Sequence, residues 1–587
     1  MPDATPRRIR ALAIDLGLDE PEALLRERSA RSIGVPPEAI RGLRIARRAL
    51  DARKRVGGRG ARRELRFVVH VDLELDPDLR SASLDRALAS GRAQPLEPPV
   101  RFELDHADPA WRGRRVVVVG SGPAGLYAAW TLAANGVGVD LIERGPALRE
   151  RGRAVARFTR TRELDPERNL LFGEGGAGTY SDGKLYTRTR HALEDPILET
   201  LIEAGAPPEI AFDARAHVGT DRLHRILPRL RERLESMGVR FHFETRLESL
   251  ELLESAGSRR VRGVRTSRGT LDCDGLMLAL GHSARDTIRT LAEQGLVCVA
   301  KPFQIGLRIE HPQSLVDRGR YGEDADLARL GHAYYGLVAK ADAQHVAVHS
   351  FCMCPGGQIV AAVAQPGLLC TNGMSNSRHS SPWANSGLVV TLGPREFGTG
   401  AFDGHTFQEA IERRFFEAGG SDYSVPAQRV PDFLAGRVGK TDTGVGPGFG
   451  PASSSYKLGL TAARIDALLP ASTTAALRRA IERFDRTIPG YASEAGLLVG
   501  IESRSSGPLR MERDPRTRVA MGFENLWPVG EGAGHAGGIM SAAIDGARSA
   551  WALLGETGDD VRRGNAQRGG VQHSNAQRDD VQRGGGR

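Results

Sequence analysis

Three glycines and one carboxylate carry the first recognisable chemistry. Gly120, Gly122 and Gly125 stand in Gly-Ser-Gly-Pro-Ala-Gly, with Pro123 and Ala124 between the last two, and Glu143 follows 23 positions after Gly120. In a pyrophosphate cradle the first glycine makes a tight turn, the second lets backbone approach the phosphates, and the third lets helix and strand pack closely. A carboxylate at the position of Glu143, just before Arg144, accepts hydrogen bonds from a ribose 2′-OH and disfavours a 2′-phosphate. A second glycine group holds Gly173, Gly175, Gly176 and Gly178, and it suits backbone pressed against a planar or anionic ligand. Thr179, Ser181 and Lys184 follow it as candidate donors. A third group, Gly530-Glu531-Gly532-Ala533-Gly534-His535-Ala536-Gly537-Gly538, precedes Ile539 and a small-residue segment, a pattern that demands close approach on both sides.

Side chains able to handle a substrate gather elsewhere. Asn372, Asn376, Arg378, His379, Ser381 and Asn385 form the densest polar group of the 301–490 segment. Arg378 offers paired donors to an anionic group, and His379 offers proton transfer near neutral pH. A hydrogen-bonded loop that merely stabilises its own domain is an equal alternative. His535 stands inside the third glycine group and either takes part in chemistry or shapes the turn. Glu502 and Arg504 read as an internal ion pair. Cys352 and Cys354 read as packing cysteines, and neither the cysteines nor the scattered histidines show a metal signature.

These residues need rigid elements beneath them. Val116, Val117, Val118 and Val119 form a β-branched run ahead of the first turn, as expected of a strand buried on both faces. Apolar Leu126, Ala129, Leu132 and Ala133 follow on one helical face, and residues 139–142 read as the next strand. Strand–turn–helix–strand is the context in which the glycine pattern has meaning. Further along, residues 192–206, 219–237, 405–417, 461–468 and 472–485 read as helices. Residues 275–280, 491–501 and 525–529 read as strands. The glycine spacing at 441–451 lacks a preceding apolar strand and is read as a loop. At the N-terminus, strands at 7–15, 40–49 and 64–75, a helix at 21–32 and a turn at 57–60 make a small α+β unit.

With 587 residues the chain exceeds one hydrophobic core. The expected domains are a basic α+β domain and connector (1–98), a nucleotide-binding domain in two parts (110–300 and 491–556), an inserted α+β substrate or cap domain (301–490) and a low-complexity tail (557–587). The net charge is +9, carried by six lysines and 75 arginines, with most of the excess before residue 67. Without aromatic interleaving that basic region is read as a solvated face, so nucleic acid is disfavoured as a partner. No stretch of 18 apolar residues marks a membrane span. Five cysteines, an odd number, fit a reducing compartment, and the expected location is cytoplasmic. The residues leave oligomeric state open.

The motif set GSGPAG, FGEGGAGTYSDGKLYTR, LALGHSARD, NGMSNSRHSSPWANSG, ESRSSGPLR and LWPVGEGAGHAGGIMSAAIDG resembles that of the bacterial FAD-dependent dehydrogenases across residues 7–556. The resemblance implies non-covalent FAD on a Rossmann-like FAD/NAD(P)-binding fold of the glutathione-reductase kind. It also implies that Leu247 brings its backbone near the adenine, that Gly281 lies in a turn at the cofactor's edge, and that Glu531 contacts the ribityl chain. Residues 176–179 and 534–538 would line pyrophosphate and flavin. No Cys-x4-Cys pair follows Glu143, so disulfide-reductase chemistry of that fold is disfavoured. The expected activity is transfer of hydride or electrons to or from a small organic substrate. A flavin-dependent redox sensor and a nucleic-acid-modifying flavoprotein are the alternatives. NAD(P)H, if used, would react from a transient site, because one fingerprint serves one dinucleotide.

Overall fold

The four valines lie in the strand Arg115–Val119, central in a five-stranded parallel sheet. Across the sheet the order is Leu526–Pro528, Gly275–Leu278, Arg115–Val119, Gly138–Ile142 and Arg240–His242. Val116 and Val118 enter one apolar core while Val117 and Val119 enter the other, so a run with no polar alternation suits a sheet covered on both faces. This computed structural model describes residues 7–52, 65–185, 187, 191–255, 257–323, 325–438 and 453–556. The turn at 57–60, the loop at 441–451 and the tail at 557–587 lie outside the described residues. Among the described residues no helix is long and apolar enough to cross a membrane.

Helices Pro123–Ala134 and Ile539–Leu553 pack together through small residues. A Cβ on Gly546 would fall 2.0 Å from the Ala124 carbonyl oxygen, so only glycine permits this approach. Ahead of the parallel sheet stands a four-stranded antiparallel sheet, ordered Ile40–Asp51, Arg66–Leu75, Arg7–Gly17, Ala93–Pro95. Helices Leu24–Ile33 and Ala82–Ala89 contribute Leu25, Ile33 and Leu84 to its separate core. Many of its arginines are neutralised locally: Arg10 and Arg44 both pair with Asp72.

The segment after residue 300 forms a seven-stranded sheet with a core of its own. Its order is Val338–Ala339, Val348–Cys354, Trp383–Leu392, Phe303–Pro312, Leu497–Glu502, Val425–Arg429, Leu460–Ala462, and only the last pair runs parallel. Two expectations change here. Residues 461–468 are not a helix: Leu460–Ala462 joins the sheet edge and a short 3-10 turn, Ile465–Ala467, follows, because strand pairing satisfies the backbone that a helix would have satisfied alone. The strand expected at 491–501 spans Leu497–Glu502, and its pairing with Phe303–Pro312 carries the cap sheet past the expected boundary at 490.

Candidate active site

Four glycine-bearing loops converge above the carboxyl ends of the parallel strands. Gly120, at φ +107°, would place a Cβ 2.3 Å from the Ala279 carbonyl oxygen, and Gly125 would place one 1.8 Å from the Gly120 carbonyl oxygen. Gly122 differs, since its Cβ would meet only the Gly176 Cα, at 3.9 Å. The 120–125 turn and the 173–178 loop are therefore face to face. Gly178 in turn lies against Ile539, where an added Cβ would fall 3.3 Å from the Ile539 Cγ1, and Gly530 lies against Ala124. Gly532 closes the ring: its Cβ would fall 2.6 Å from the Gly281 carbonyl. Added Cβ atoms at Gly281, Gly537 and Gly538 would meet nothing within 4 Å, so backbone lies open along this rim. Pro123 is the first residue of helix Pro123–Ala134, whose amino end faces the turn and favours an anion.

Several polar residues expected to contact the ligand are engaged within the protein. Glu143 accepts four hydrogen bonds: from Gly145 N and Gly173 N at Oε1, both 2.9 Å, and from Ser121 N at 2.9 Å and Ser121 Oγ at 2.8 Å at Oε2. Its lone pairs are filled in tying the first loop to the second, so a ribose hydroxyl must displace one of these donors. Arg144 is forked onto Glu167 and Asp286 and stacked on Phe172, 4.1 Å from the ring centre. Thr179 Oγ1 donates to Glu174 O at 3.0 Å, and Ser181 Oγ donates to Gly178 O at 2.7 Å. Lys184 Nζ lies 3.0 Å from Asp182 and bonds the Met353 carbonyl. The reason is shared: a glycine-rich loop needs side chains to hold it in place, and these are the nearest ones. Gly175, at φ +81°, would strike the Thr179 hydroxyl 2.3 Å away. Leu247 is buried at the start of strand Leu247–Ser255.

The organiser of the second loop is Arg151, which the sequence reading missed. Fully buried, it donates to the carbonyls of Asn169 (3.1 Å), Leu170 (2.8 Å) and Glu174 (2.7 Å), and burial lowers its pKa to about 10. Its place on an arginine-rich helix hid it. Asp545 does the same work for the third loop, accepting from Gly530 N at 2.8 Å while paired with Arg513 and Arg518.

Around the open rim, Glu531 lies 3.9 Å from His282 and is 29% exposed at its side chain. Burial pushes its pKa up to about 7 despite the Lys301 charge, so it holds a proton into the neutral range. Burial, then Arg504 and Arg285, push His282 down to about 3, leaving a neutral ring. His535 Nε2 lies 2.9 Å from the Met511 carbonyl, and burial lowers its pKa. Its N–H thus anchors the turn, and the neutral ring leaves Nδ1 as an acceptor.

Arg378 and His379 part company. Arg378 is exposed, whereas His379, at φ +51°, turns inward and stacks on His217 with centroids 4.2 Å apart. The His379 Nε2 is 3.7 Å from Asp182, which also accepts from Ser375 Oγ. Burial would raise Asp182, but Lys184, His379 and Ser375 outweigh it and keep the carboxylate ionised. Asn372 and Asn385 turn toward the buried Arg308, which also pairs with Glu502 at 2.9 Å. The expected Glu502–Arg504 pair does not form. Arg504 instead shares Glu412 with Arg285, a buried triad joining the two domains. The strand ends at Glu502, so the alternation that would set residues two apart on one face does not extend to Arg504, and the two side chains find different partners.

A cofactor with a pyrophosphate and a flat ring system fits this ring: a helix amino end, an open glycine at 122, and bare backbone at 281, 537 and 538. Comparison with known proteins agrees. Residues 114–284 match the model of an FAD binding domain, and residues 302–505 match that of an FAD-dependent protein, C-terminal domain-like. Residues 8–57 match a domain of unknown function. Fold and site define an FAD-dependent oxidoreductase acting on an organic substrate. An "Uncharacterized protein" of Clostridium beijerinckii is 36% identical over 543 residues, which cover 92% of this chain and 98% of that one. The chain belongs to the same family as that protein.

An L-glutamate oxidase precursor of Streptomyces viridosporus is 42% identical over 77 residues, covering only 12% of its length. Among solved structures, L-proline dehydrogenase from P. horikoshii is similar over 75% of this chain and 93% of that one, at 12% identity and a TM-score of 0.31. Glycine oxidase from Bacillus cereus matches at 10% identity over 75% and 95%, with a TM-score of 0.29. Likenesses this low assign neither substrate nor mechanism. The glutathione-reductase-like expectation is overturned by the match at 302–505 and by the sheet observed there. That region is a largely antiparallel sheet, not a second parallel dinucleotide-binding unit.

Proposed function

We propose that FAD lies along the glycine ring with its pyrophosphate beside the abutting backbones of Gly122 and Gly176, at the amino end of helix Pro123–Ala134, and that its reactive ring reaches the rim at Gly281, Glu531, Gly537 and Gly538. The observation that carries this reading is the spatial closure of the loops: Gly122 on Gly176, Gly178 on Ile539, Gly532 on Gly281. When bound, FAD supplies two-electron chemistry, and the protein supplies position and electrostatics. The amino end of helix Pro123–Ala134 favours the phosphates. Glu531, protonated up to about 7, donates a hydrogen bond toward the cofactor's sugar chain or ring edge. His379, oriented by the Asp182 carboxylate, gives a proton to or takes one from the substrate, and Arg378 attracts an anionic substrate from the surface. The substrate is a small organic molecule entering from the cap side. NAD(P)H, if it serves as donor, reacts transiently rather than from a domain of its own. Assignment to the cytoplasm belongs to this same proposal.

The purified protein should be yellow and release FAD on denaturation. Stopped-flow mixing with a panel of amines, amino acids, alcohols and quinones should find one class that changes the flavin spectrum at a saturable rate. If no class does so while flavin oxidation state changes the affinity of a macromolecular partner, the sensor alternative replaces catalysis. Rapid, saturable reduction by NADH or NADPH with an ordered nicotinamide site would overturn the transient-donor reading.

A further inference from the structure

Cys352 and Cys354 occupy a break in the cap sheet rather than a regular strand. The register between Val348–Cys354 and Trp383–Leu392 shifts between Phe351 and Cys354, and Cys352 adopts φ +44°, in the left-handed region. A β-branched or bulky residue is costly there, and a bulge re-aims the side chains on either side of it. Residues two apart on an extended strand have Cα atoms separated by about 6.6 Å, near the upper limit at which a disulfide closes, and a bulge shortens that span. Cys354 Sγ reaches back to the Cys352 carbonyl at 3.3 Å. Lys184 Nζ approaches Cys352 Sγ at 3.7 Å, and Arg308 donates to the Cys352 carbonyl at 3.4 Å.

We propose that Cys352 and Cys354 form a thiol–disulfide exchange site, with Cys352 as the attacking thiolate, Cys354 as the resolving thiol and Lys184 as the charge that holds the thiolate. The substrate class is a low-molecular-weight disulfide. The Cys352 sulfur attacks one sulfur of that disulfide, breaks its S–S bond and releases one thiolate. Cys354 then loses its proton and attacks Cys352 in the mixed disulfide, releasing the second thiolate. Two protein thiols become one protein disulfide while one external disulfide becomes two thiols, so two electrons and two protons balance.

The charged surroundings support the assignment. A hydrogen bond from the Cys354 thiol, followed by Lys184 and Arg308, lowers Cys352 against burial and the Asp182 charge, while Cys354 is raised. Glu502 faces the same group across Arg308. The remaining cysteines behave oppositely: burial pushes Cys273 up to about 12 and Cys298 and Cys370 up to about 11. Half-buried Cys352 is the accessible member and Cys354 the buried one, as attacking and resolving roles require. The exchange needs no flavin chemistry and stands apart from the function proposed above.

The test uses the full-length holoprotein and 5,5′-dithiobis(2-nitrobenzoate) as the disulfide. Wild type should rapidly release two aryl thiolates per chain, retain no adduct, and show a Cys352–Cys354 crosslink by peptide mapping. Cys354→Ser should release one and keep a mixed disulfide on Cys352, and Cys352→Ser should lose the fast phase. A lowered pKa also lowers intrinsic nucleophilicity, so the advantage of Cys352 is greatest in acid. At pH 5.5 iodoacetamide should label it about tenfold or more faster than Cys298, and Lys184→Gln should narrow that ratio. Flavin content and thermal unfolding measured on each variant separate lost chemistry from lost fold. Two stable adducts on wild type, or labelling of Cys352 no faster than Cys298, would overturn the proposal.

Discussion

The glycine ring and the domain junction are built by opposite means. Around the ring, backbone meets backbone because side chains are missing: Gly120, Gly125, Gly532 and Gly546 all occupy places where a Cβ would collide with main-chain atoms. At the junction, long charged side chains fill the interior. Arg285 from helix Arg285–Glu293 and Arg504 from the cap both grip Glu412, which is fully buried and also accepts from Ser503 Oγ at 2.7 Å. Steric exclusion tolerates no substitution but is insensitive to pH. A buried ionic triad keeps its shape under conservative substitution and fails when one charge is removed.

The contrast is most sharply tested at Glu412. Glu412→Gln preserves the outline but leaves buried Arg504 without its carboxylate and Arg285 with only Glu409, 3.6 Å away, and it should cost about 3–5 kcal/mol. The carboxylate is held far below its ordinary 4.5, because Arg285 and Arg504 outweigh burial. Its stabilisation is therefore complete above that value and is lost as pH falls below it. Thermal unfolding of wild type against pH should show this acid-side loss, and the variant should lack it. A wild-type profile in Glu412→Gln would mean that the junction does not rest on charge.

Gly125→Ala should follow, at about 2–3 kcal/mol or more, since the new methyl would fall 1.8 Å from a carbonyl oxygen. Soluble yield and unfolding temperature read it. A well-folded Gly125→Ala protein would break the steric side of the comparison.

Glu531 belongs to the ring yet behaves electrostatically. Burial raises its pKa to about 7, so its bound proton contributes fully below 4.5 and the contribution fades as pH climbs to about 7. In FAD-stripped protein, Glu531→Gln should remove this base-side slope, worth about 1–3 kcal/mol. Unchanged slope would assign the titration to another group.

Gly122→Ala sharpens the contrast inside the fingerprint itself. The added methyl finds ordinary contact with Gly176, so unfolding of the apoprotein should be nearly unchanged. FAD affinity should fall about tenfold or more, because the methyl occupies the phosphate approach. Equal affinity would move the pyrophosphate elsewhere. Arg378→Gln, at an exposed position, should alter stability by less than about 0.5 kcal/mol and act only on KM for an anionic substrate. His379→Gln tests the inward-facing partner and should lower turnover with flavin content intact.

What the amino-acid order determined by itself is local and steric. Val116 to Val119 had to be a doubly buried strand, the spacing of Gly120, Gly122 and Gly125 had to make a tight strand-to-helix turn, and the third glycine group had to open a helix at Ile539. These consequences follow from backbone freedom and side-chain period, which act over a few residues and are present in the chain before it folds. The partners of the charged residues around the site were decided by tertiary structure. Glu143 turned to Ser121, Gly145 and Gly173, Arg144 to Glu167 and Asp286, and Glu502 to Arg308 rather than Arg504. Cys352 and Cys354 met Lys184, 168 positions from the nearer cysteine, only because a bulge and a returning loop share one edge of the cap. An arginine-rich sequence offers many equivalent cations to every carboxylate. Coulomb attraction has no sequence range, so the choice among them is made by packing and burial once the domains have come together.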